Sequence, residues 1–195
     1  MTSGDFDEAQ AWSSARGGDS ASFAALFDRH RDRVFGHALR LLRDPHDAED
    51  ATAMVFLEAW RRRDAVHIVD GSILPWLLVT TNNVIRNQTR SARRYRTALA
   101  RLPRPEVQSD HAEHVDSSID NRQRDRRVRD AFAALPPRDQ DVITLCVIEE
   151  LSLAEAAATL GVPVGTVKSR LSRAKRKLGD LALGHSEPVL EGGAQ

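Results

Sequence analysis

Residues 151–178 read LSLAEAAATLGVPVGTVKSRLSRAKRKL, and this stretch decides how the rest of the chain is understood. Ser152 and Glu155 have the spacing of a capping box, with the hydroxyl at the cap and the carboxylate three residues on. Ala156, Ala157 and Ala158 are small enough for a second helix to cross closely. Gly161, in Leu160-Gly-Val-Pro163, suits the left-handed position after a helix end. A second helix is expected from Val164 to about Leu178, with Val164, Val167, Leu171, Ala174 and Leu178 turned to a core. Its other side carries Thr166, Ser169, Arg170, Arg173 and Lys177, flanked by Lys168, Ser172, Lys175 and Arg176. These features, in this order, describe a helix-turn-helix over roughly Leu151–Leu178. Its second helix suits the major groove of duplex DNA, with arginines for guanine edges and flanking cations for phosphates. The plain alternative is a basic, solvated helix face.

Charge outside this segment is blocked in the same manner, although the 195-residue chain has a formal net charge of zero. No carboxylate occurs from Gly71 to Pro105, where Arg86, Arg90, Arg93, Arg94, Arg96, Arg101 and Arg104 stand. From Glu106 to Asn121 the sign reverses, with Glu106, Asp110, Glu113, Asp116 and Asp120 and no Lys or Arg. From Ala156 to Gly179 there is again no acid. Two basic blocks around an acidic one point to two polyanion-binding surfaces and a spacer.

The composition leans helical: aromatic residues are only 5% of the chain while Ala, Leu and Arg abound, and few segments alternate as half-buried strands do. Residues 1–21 are polar and expected to be disordered. A helix is expected from Ser22 to Arg43, with Phe23, Phe27, His30, Val34, Ala38 and Leu41 on one face. Asp44-Pro45 ends it. Asp47-Ala-Glu-Asp50 opens a second helix, its acids placed where the helix dipole favours them. Arg61–Ser72 reads as a loop containing Asp70-Gly71. A third helix begins near Ile73 or Pro75, with Leu77, Thr81, Val84, Gln88 and Ala92 inward and Asn83, Arg86, Asn87, Arg90 and Arg94 outward. The fold class is therefore all-α: two small helical domains, 22–100 and 122–180, joined by a flexible acidic linker over 101–121, with a disordered tail at 181–195.

Together these residues resemble the extracytoplasmic-function (ECF) sigma factors of bacterial RNA polymerase. Residues 151–178, preceded by Ala134-Leu-Pro-Pro-Arg-Asp-Gln140, look like region 4. Phe23–His30 and Leu41–Asp50 look like the start of region 2, and Pro75-Trp-Leu-Leu78 with Asn82-Asn83 looks like its promoter-reading part. The resemblance spans most of residues 22–178, with both halves in the family's order.

The resemblance implies a division of labour. Asp47, Glu49 and Asp50 would dock on the polymerase β′ clamp, with the β′ clamp and β subunits of core polymerase as partners. Asn82, Asn83, Arg86, Asn87 and Arg90 would meet the opened −10 strand, and the Asp64–Ser72 loop would hold a flipped base, whose unstacking costs a few kcal/mol. Asn82 and Asn83 also suit helix-packing hydrogen bonds. Thr166, Lys168, Ser169, Arg170, Arg173, Arg176 and Lys177 would read the −35 duplex. Where the family often has Gln-Glu this chain has Ala53-Met54, which bears on docking. Family members are commonly held by an anti-sigma factor, and a monomer is expected otherwise.

No nucleophile–base constellation, phosphate-binding glycine loop or metal-ligand spacing stands out, so neither enzymatic activity, a metal nor a cofactor is expected. His111 and His114, in the acidic stretch, could hold a metal only adventitiously. Cys146, the only cysteine, lies in an apolar run and reads as a buried, inert thiol. No apolar stretch approaches the ~20 residues of a membrane span, and no signal peptide opens the chain, so a cytoplasmic location without membrane insertion is expected. Two rivals remain open: a stand-alone repressor or activator, which leaves the N-terminal half without a role, and an enzyme carrying a regulatory DNA-binding tail.

Overall fold

The computed structural model describes residues 6–99 and 119–183, which form eight α-helices and no named strand. They are α1 (Glu8–Arg16), α2 (Ser20–Leu42), α3 (Pro45–Arg61), α4 (Leu74–Leu99), α5 (Ile119–Ala134), α6 (Pro137–Ile143), α7 (Leu153–Leu160) and α8 (Val164–Leu183). A short 3₁₀ turn, Arg63–Ala65, follows α3, and a π-helical turn, Thr144–Ile148, follows α6.

The helix starts follow from side-chain caps. Asp7, Asp19 and Asp44 each accept backbone N–H groups of the first turn of α1, α2 and α3, and Pro45 occupies the first turn of α3, where its missing N–H costs nothing. The capping box of α7 closes as its spacing requires: Ser152 N donates to Glu155 Oε2 at 2.7 Å and Glu155 N to Ser152 Oγ at 3.2 Å. Gly161 ends α7 with φ of 62°.

Two cores result. In the N-terminal unit α1 to α4 enclose Trp12, Leu26, Val34, Val55, Phe56, Ile73 and Leu77. Phe23 lies at its centre, 5.0 Å from Trp60 and 6.4 Å from both Trp12 and Phe56. Trp60 is thus a core anchor, as aromatic rings at such spacings gain both burial and quadrupole complementarity. In the C-terminal unit Val142, Leu145, Ala156, Ala157 and Val167 form one cluster, and Phe132, Leu135, Ile143 and Ala174 another. Gln140, 4% exposed, directs its amide N–H groups to the carbonyls of Phe132, Ala133 and Leu135 at the C-terminal end of α5, where the helical hydrogen-bond ladder runs out.

Several expectations are corrected here. Residues 1–21 are not wholly disordered, because α1 buries Trp12 and Ala15 against α2. The stretch 101–121 does not reach the second domain as linker throughout, since α5 already begins at Ile119. α8 continues to Leu183, into the stretch 181–195 expected to be a disordered tail, and Val164, expected inward at its start, is exposed. Ala92, expected inward on α4, is exposed. His111 and His114 fall outside the described residues. Cys146, expected to be buried, is only half-buried, and desolvation raises its thiol pKa against the opposing charge of Lys175. Among the described residues no helix is long and apolar enough to cross a membrane.

Candidate nucleic-acid interface

The two units pack against each other through α4. Asn82 is 1% exposed and stands at the centre of that contact. Its Nδ2 donates to Asp141 Oδ1 at 3.1 Å and to Thr144 Oγ1 at 3.0 Å. Both amide protons being spent, its Oδ1 must accept, so the 2.9 Å contact with His37 Nε2 is a donation from a neutral His37 ring. Burial lowers the His37 pKa, consistent with that neutral state, although Asn82 favours the cation. Arg86 Nη1 donates to Gln140 Oε1 at 2.7 Å and reaches Asp141 Oδ1 at 3.4 Å. Burial raises the Asp141 carboxyl pKa, against the opposing pull of Arg86 and the Asn82 hydrogen bond. At the margin Arg33 pairs with Glu149 and Arg43 with Asp125. The thiol-bearing π turn supplies Thr144, whose register within the widened turn faces Asn82.

The residues expected on the −10 strand are therefore divided. Asn83, Asn87 and Arg90 are exposed on α4. Arg86 is half-buried and also donates from Nη2 to Asn83. Asn82, expected to contact DNA, is instead committed to the other domain in this arrangement. The alternation of amides along α4 placed Asn82 and Asn83 side by side, but they lie about 100° apart around a 3.6-residue helix. A neighbouring helix can therefore cover one and leave the other.

A groove of about 710 Å³ runs beside the exposed part of α4. Arg62, His67, Trp76, Asn83 and Asn87 line it, and Leu160 of α7 closes one edge. Its loop wall is well ordered by local chemistry. Val69 N donates to Ser72 O at 2.9 Å and Ser72 N to Val69 O at 3.0 Å. Asp70 and Gly71 both have positive φ, 50° and 73°, the geometry of a two-residue hairpin turn that Asp-Gly favours. Val66 and Val69 turn inward, leaving His67 and Ile68 exposed.

On α8, Lys168, Ser169, Arg173, Arg176 and Lys177 are exposed, while Thr166 and Arg170 are half-buried. Val167 and Ala174 are fully buried, which fixes the rotation of the basic face outward. Arg170 leans inward, close enough that its charge lowers the Asp141 pKa. On α3, Asp47, Glu49 and Asp50 are exposed beside Ala53, Met54 and Leu57. Met54 and Leu57 are about half exposed, at 50% and 46%. Leu57 had no sequence signal, because exposure of an apolar helix residue depends on what packs beside it.

Sequence reasoning also missed Glu8, whose buried carboxylate joins α1 to the groove loop. Its Oε1 accepts from Ile73 N at 2.7 Å, Ser72 Oγ at 2.9 Å and His30 Nε2 at 2.8 Å. The only sequence signal was Trp12 and Ala15 at helical spacing from it.

Comparison with known proteins agrees with this architecture. A model of Sigma-70 region 2 matches residues 26–95 and one of Sigma-70 region 4 matches residues 125–178, together more than half of the chain. The ECF RNA polymerase sigma factor SigE of Mycolicibacterium smegmatis is 35% identical over 181 residues, 89% of this chain and 68% of that protein. The ECF RNA polymerase sigma factor SigK of Mycobacterium sp. (strain KMS) is 31% identical, covering 78% of this chain and 79% of its own. Among solved structures, CnrH in complex with the cytosolic domain of CnrY superposes with a TM-score of 0.57 at 26% identity, over 93% of this chain and all of CnrH. The sigma factor RpoE in complex with the anti-sigma factor NepR from Bartonella quintana shares the fold, with a TM-score of 0.52 at 22% identity over 85% of this chain and 98% of that one. With both regions matched in order and two curated relatives above 30% identity, the chain belongs to the ECF sigma factors of bacterial RNA polymerase.

Proposed function

We propose that this sigma factor reads its promoter with two surfaces: the outer face of α8 on the −35 duplex, and the α4 groove on the opened −10 strand. The observation that carries the second assignment is the groove itself, which gathers Asn83 and Asn87 from α4 and His67 from the loop at one place. Amides suit base edges, and the groove is roomy enough for an unstacked base. The −35 assignment rests on Arg173, Lys168, Ser169, Arg176 and Lys177, exposed on a stretch of α8 that holds no acid before Asp180, with Thr166 and Arg170 at its edge. Arg90, exposed further along α4, suits a phosphate.

Asp47, Glu49 and Asp50, with the exposed Met54 and Leu57, form the surface we assign to the β′ clamp, and region 4 to the β subunit. A mixed acidic and apolar face fits a protein partner better than a nucleic acid. Asn82 and Arg86 become available to DNA only when the two units separate, so binding core polymerase is expected to open the closed packing. CnrH was solved with a second protein bound, and an anti-sigma factor that favours the closed form is the regulatory partner we propose. The protein itself performs no chemistry in this reading and acts in the cytoplasm as a specificity subunit.

Run-off transcription with purified core polymerase tests the proposal. The expected result is initiation from a subset of promoters that core enzyme alone does not use. Tight binding of duplex DNA by the protein alone, with no initiation by the holoenzyme, would favour a stand-alone repressor instead.

A further inference from the structure

α1 spans the whole base of the groove loop. Its nine residues make a rod roughly 13 Å long. At one end, Arg16 O accepts from Arg63 Nε at 3.1 Å and the Arg16 guanidinium reaches Asp64 Oδ1 at 3.4 Å. At the other end Glu8 holds Ser72 and Ile73, the last residues before α4. The loop between these anchors carries the exposed His67 and Ile68.

The two anchors are unequal. Asp64 is 87% exposed and Arg16 51%, so their ion pair is screened by water and holds little. Glu8 is 6% exposed, and its carboxylate also takes Arg29 Nε at 3.3 Å. Hydrogen bonds that a backbone N–H and a hydroxyl donate to a buried carboxylate are among the stronger local restraints. Burial alone would raise the Glu8 pKa, but the bonds from His30, Ile73 and Ser72 outweigh it and leave the group ionised.

We infer that Glu8 is a positioning residue for −10 recognition, fixing the junction of the groove loop and α4 so that His67 and Ile68 face the captured base. This rests on the assignment of the loop as the base-holding element. The geometry supplies a lever: Ile73 immediately precedes α4, the helix that carries Asn83 and Asn87, and its carbonyl accepts from Leu77 N at 3.1 Å, so Glu8 sets the loop and the amides in one frame. Loss of that frame misplaces both walls of the groove, and displacements near 1 Å suffice to cost large factors in reactions that depend on positioning.

The test uses the full chain assembled with core polymerase. The probe is a pool of forked DNA with a randomised upstream duplex and a randomised single strand downstream. Bound molecules are sequenced, so base preference in each segment is read separately. Glu8→Ala is expected to lower the enrichment of the preferred single-strand base roughly tenfold while the duplex preference stays unchanged. Glu8→Gln keeps an acceptor for Ile73 N and should recover most of that enrichment; Arg16→Ala should change it less than threefold, or roughly by a surface pair's worth. The double variant His67→Ala/Ile68→Ala is run alongside and should flatten the same single-strand preference. If it does while Glu8→Ala keeps the wild-type profile, the inference about Glu8 is overturned. Equal loss of duplex and single-strand preference in both Glu8 variants would mark Glu8 as merely structural, which also overturns it. If the loop variant leaves the single-strand preference intact, the base-holding assignment of the loop falls instead.

Discussion

α4 and α8 are both long basic helices with a periodic polar face, yet they stand in different states. The outer face of α8 is open, because Val167 and Ala174 hold its apolar side in the core and, among the described residues, Lys168, Arg173, Arg176 and Lys177 opposite stay exposed. The polar face of α4 is shared: Asn83, Asn87 and Arg90 remain outside, while Asn82 and Arg86 are engaged by Asp141, Thr144 and Gln140 of the other unit. On the proposed assignment, one helix is ready for duplex DNA as it stands, and the other must lose a protein partner before all of its polar groups can meet a strand. The difference is chemically sensible. The −35 element is recognised as duplex, whereas the −10 strand becomes available only inside the polymerase complex.

The largest effect is expected where the two helices differ most. Asn82→Ala removes the hub of the interdomain network and leaves His37, Asp141 and Thr144 short of partners. It should weaken the closed packing by about 3 kcal/mol, since each buried group left unsatisfied costs about 1–3 kcal/mol. Denaturation followed separately in the two units would then show transitions moving apart; superimposable transitions matching the wild type would break the comparison by showing that α4 is not held through this network. Next in size is Arg173→Ala, expected to cost about 1–3 kcal/mol of −35 duplex affinity at one base position if it reads a base, and less, evenly across sequences, if it touches phosphate. Neither form should alter the closed packing, because Arg173 points away from it.

The smallest expected effect is a pH dependence. The folded-state pKa of His37 lies below its ordinary value of 6.5. The unfolded or opened chain therefore binds more protons just below 6.5, and the stability that neutral His37 provides is lost as pH falls through that value toward the folded pKa. Arg40 reinforces this and Glu149 opposes it. Asp141, with its pKa raised above 3.8, titrates in the opposite sense: its contribution favours the closed form as pH falls. The measurement is best made in Asp141→Asn, where the opposing titration is gone. A closed form equally stable on both sides of pH 6.5 in that variant would show that His37 is not required to be neutral.

Much of the local structure was legible in residue order. The Ser152–Glu155 capping box, the left-handed Gly161, the Asp44-Pro45 boundary and the Asp70-Gly71 turn each depend on groups within four residues of one another, and each took the form its chemistry dictates. The inward stripe of α8 was legible for the same reason from Val167 onward, but Val164, expected inward, is exposed at the first position of the helix. Failures came where a distant partner decided the outcome. Residues 8–16 looked too polar to order, but Trp12 needed only the aromatic cluster around Phe23 to bury it, and Glu8 needed the loop end at Ser72 and Ile73. The candidate site divides along the same line: the basic face of α8 was readable throughout, while on α4 the polar face was readable and its occupancy was not.

By itself, then, the sequence determined the helices, their caps, the helix-turn-helix and the two acid-free basic faces, because helix periodicity and capping act over a turn or two. Only the tertiary structure decided which amide of Asn82-Asn83 is buried, that α1 braces the groove loop, and that the two units meet through α4. Those outcomes depend on surfaces separated by 45 to 65 residues, His37 with Asn82 and Glu8 with Ile73 among them, which no local pattern brings together. Whether a polar side chain serves DNA or the fold is settled by which of them can desolvate it with its hydrogen bonds intact.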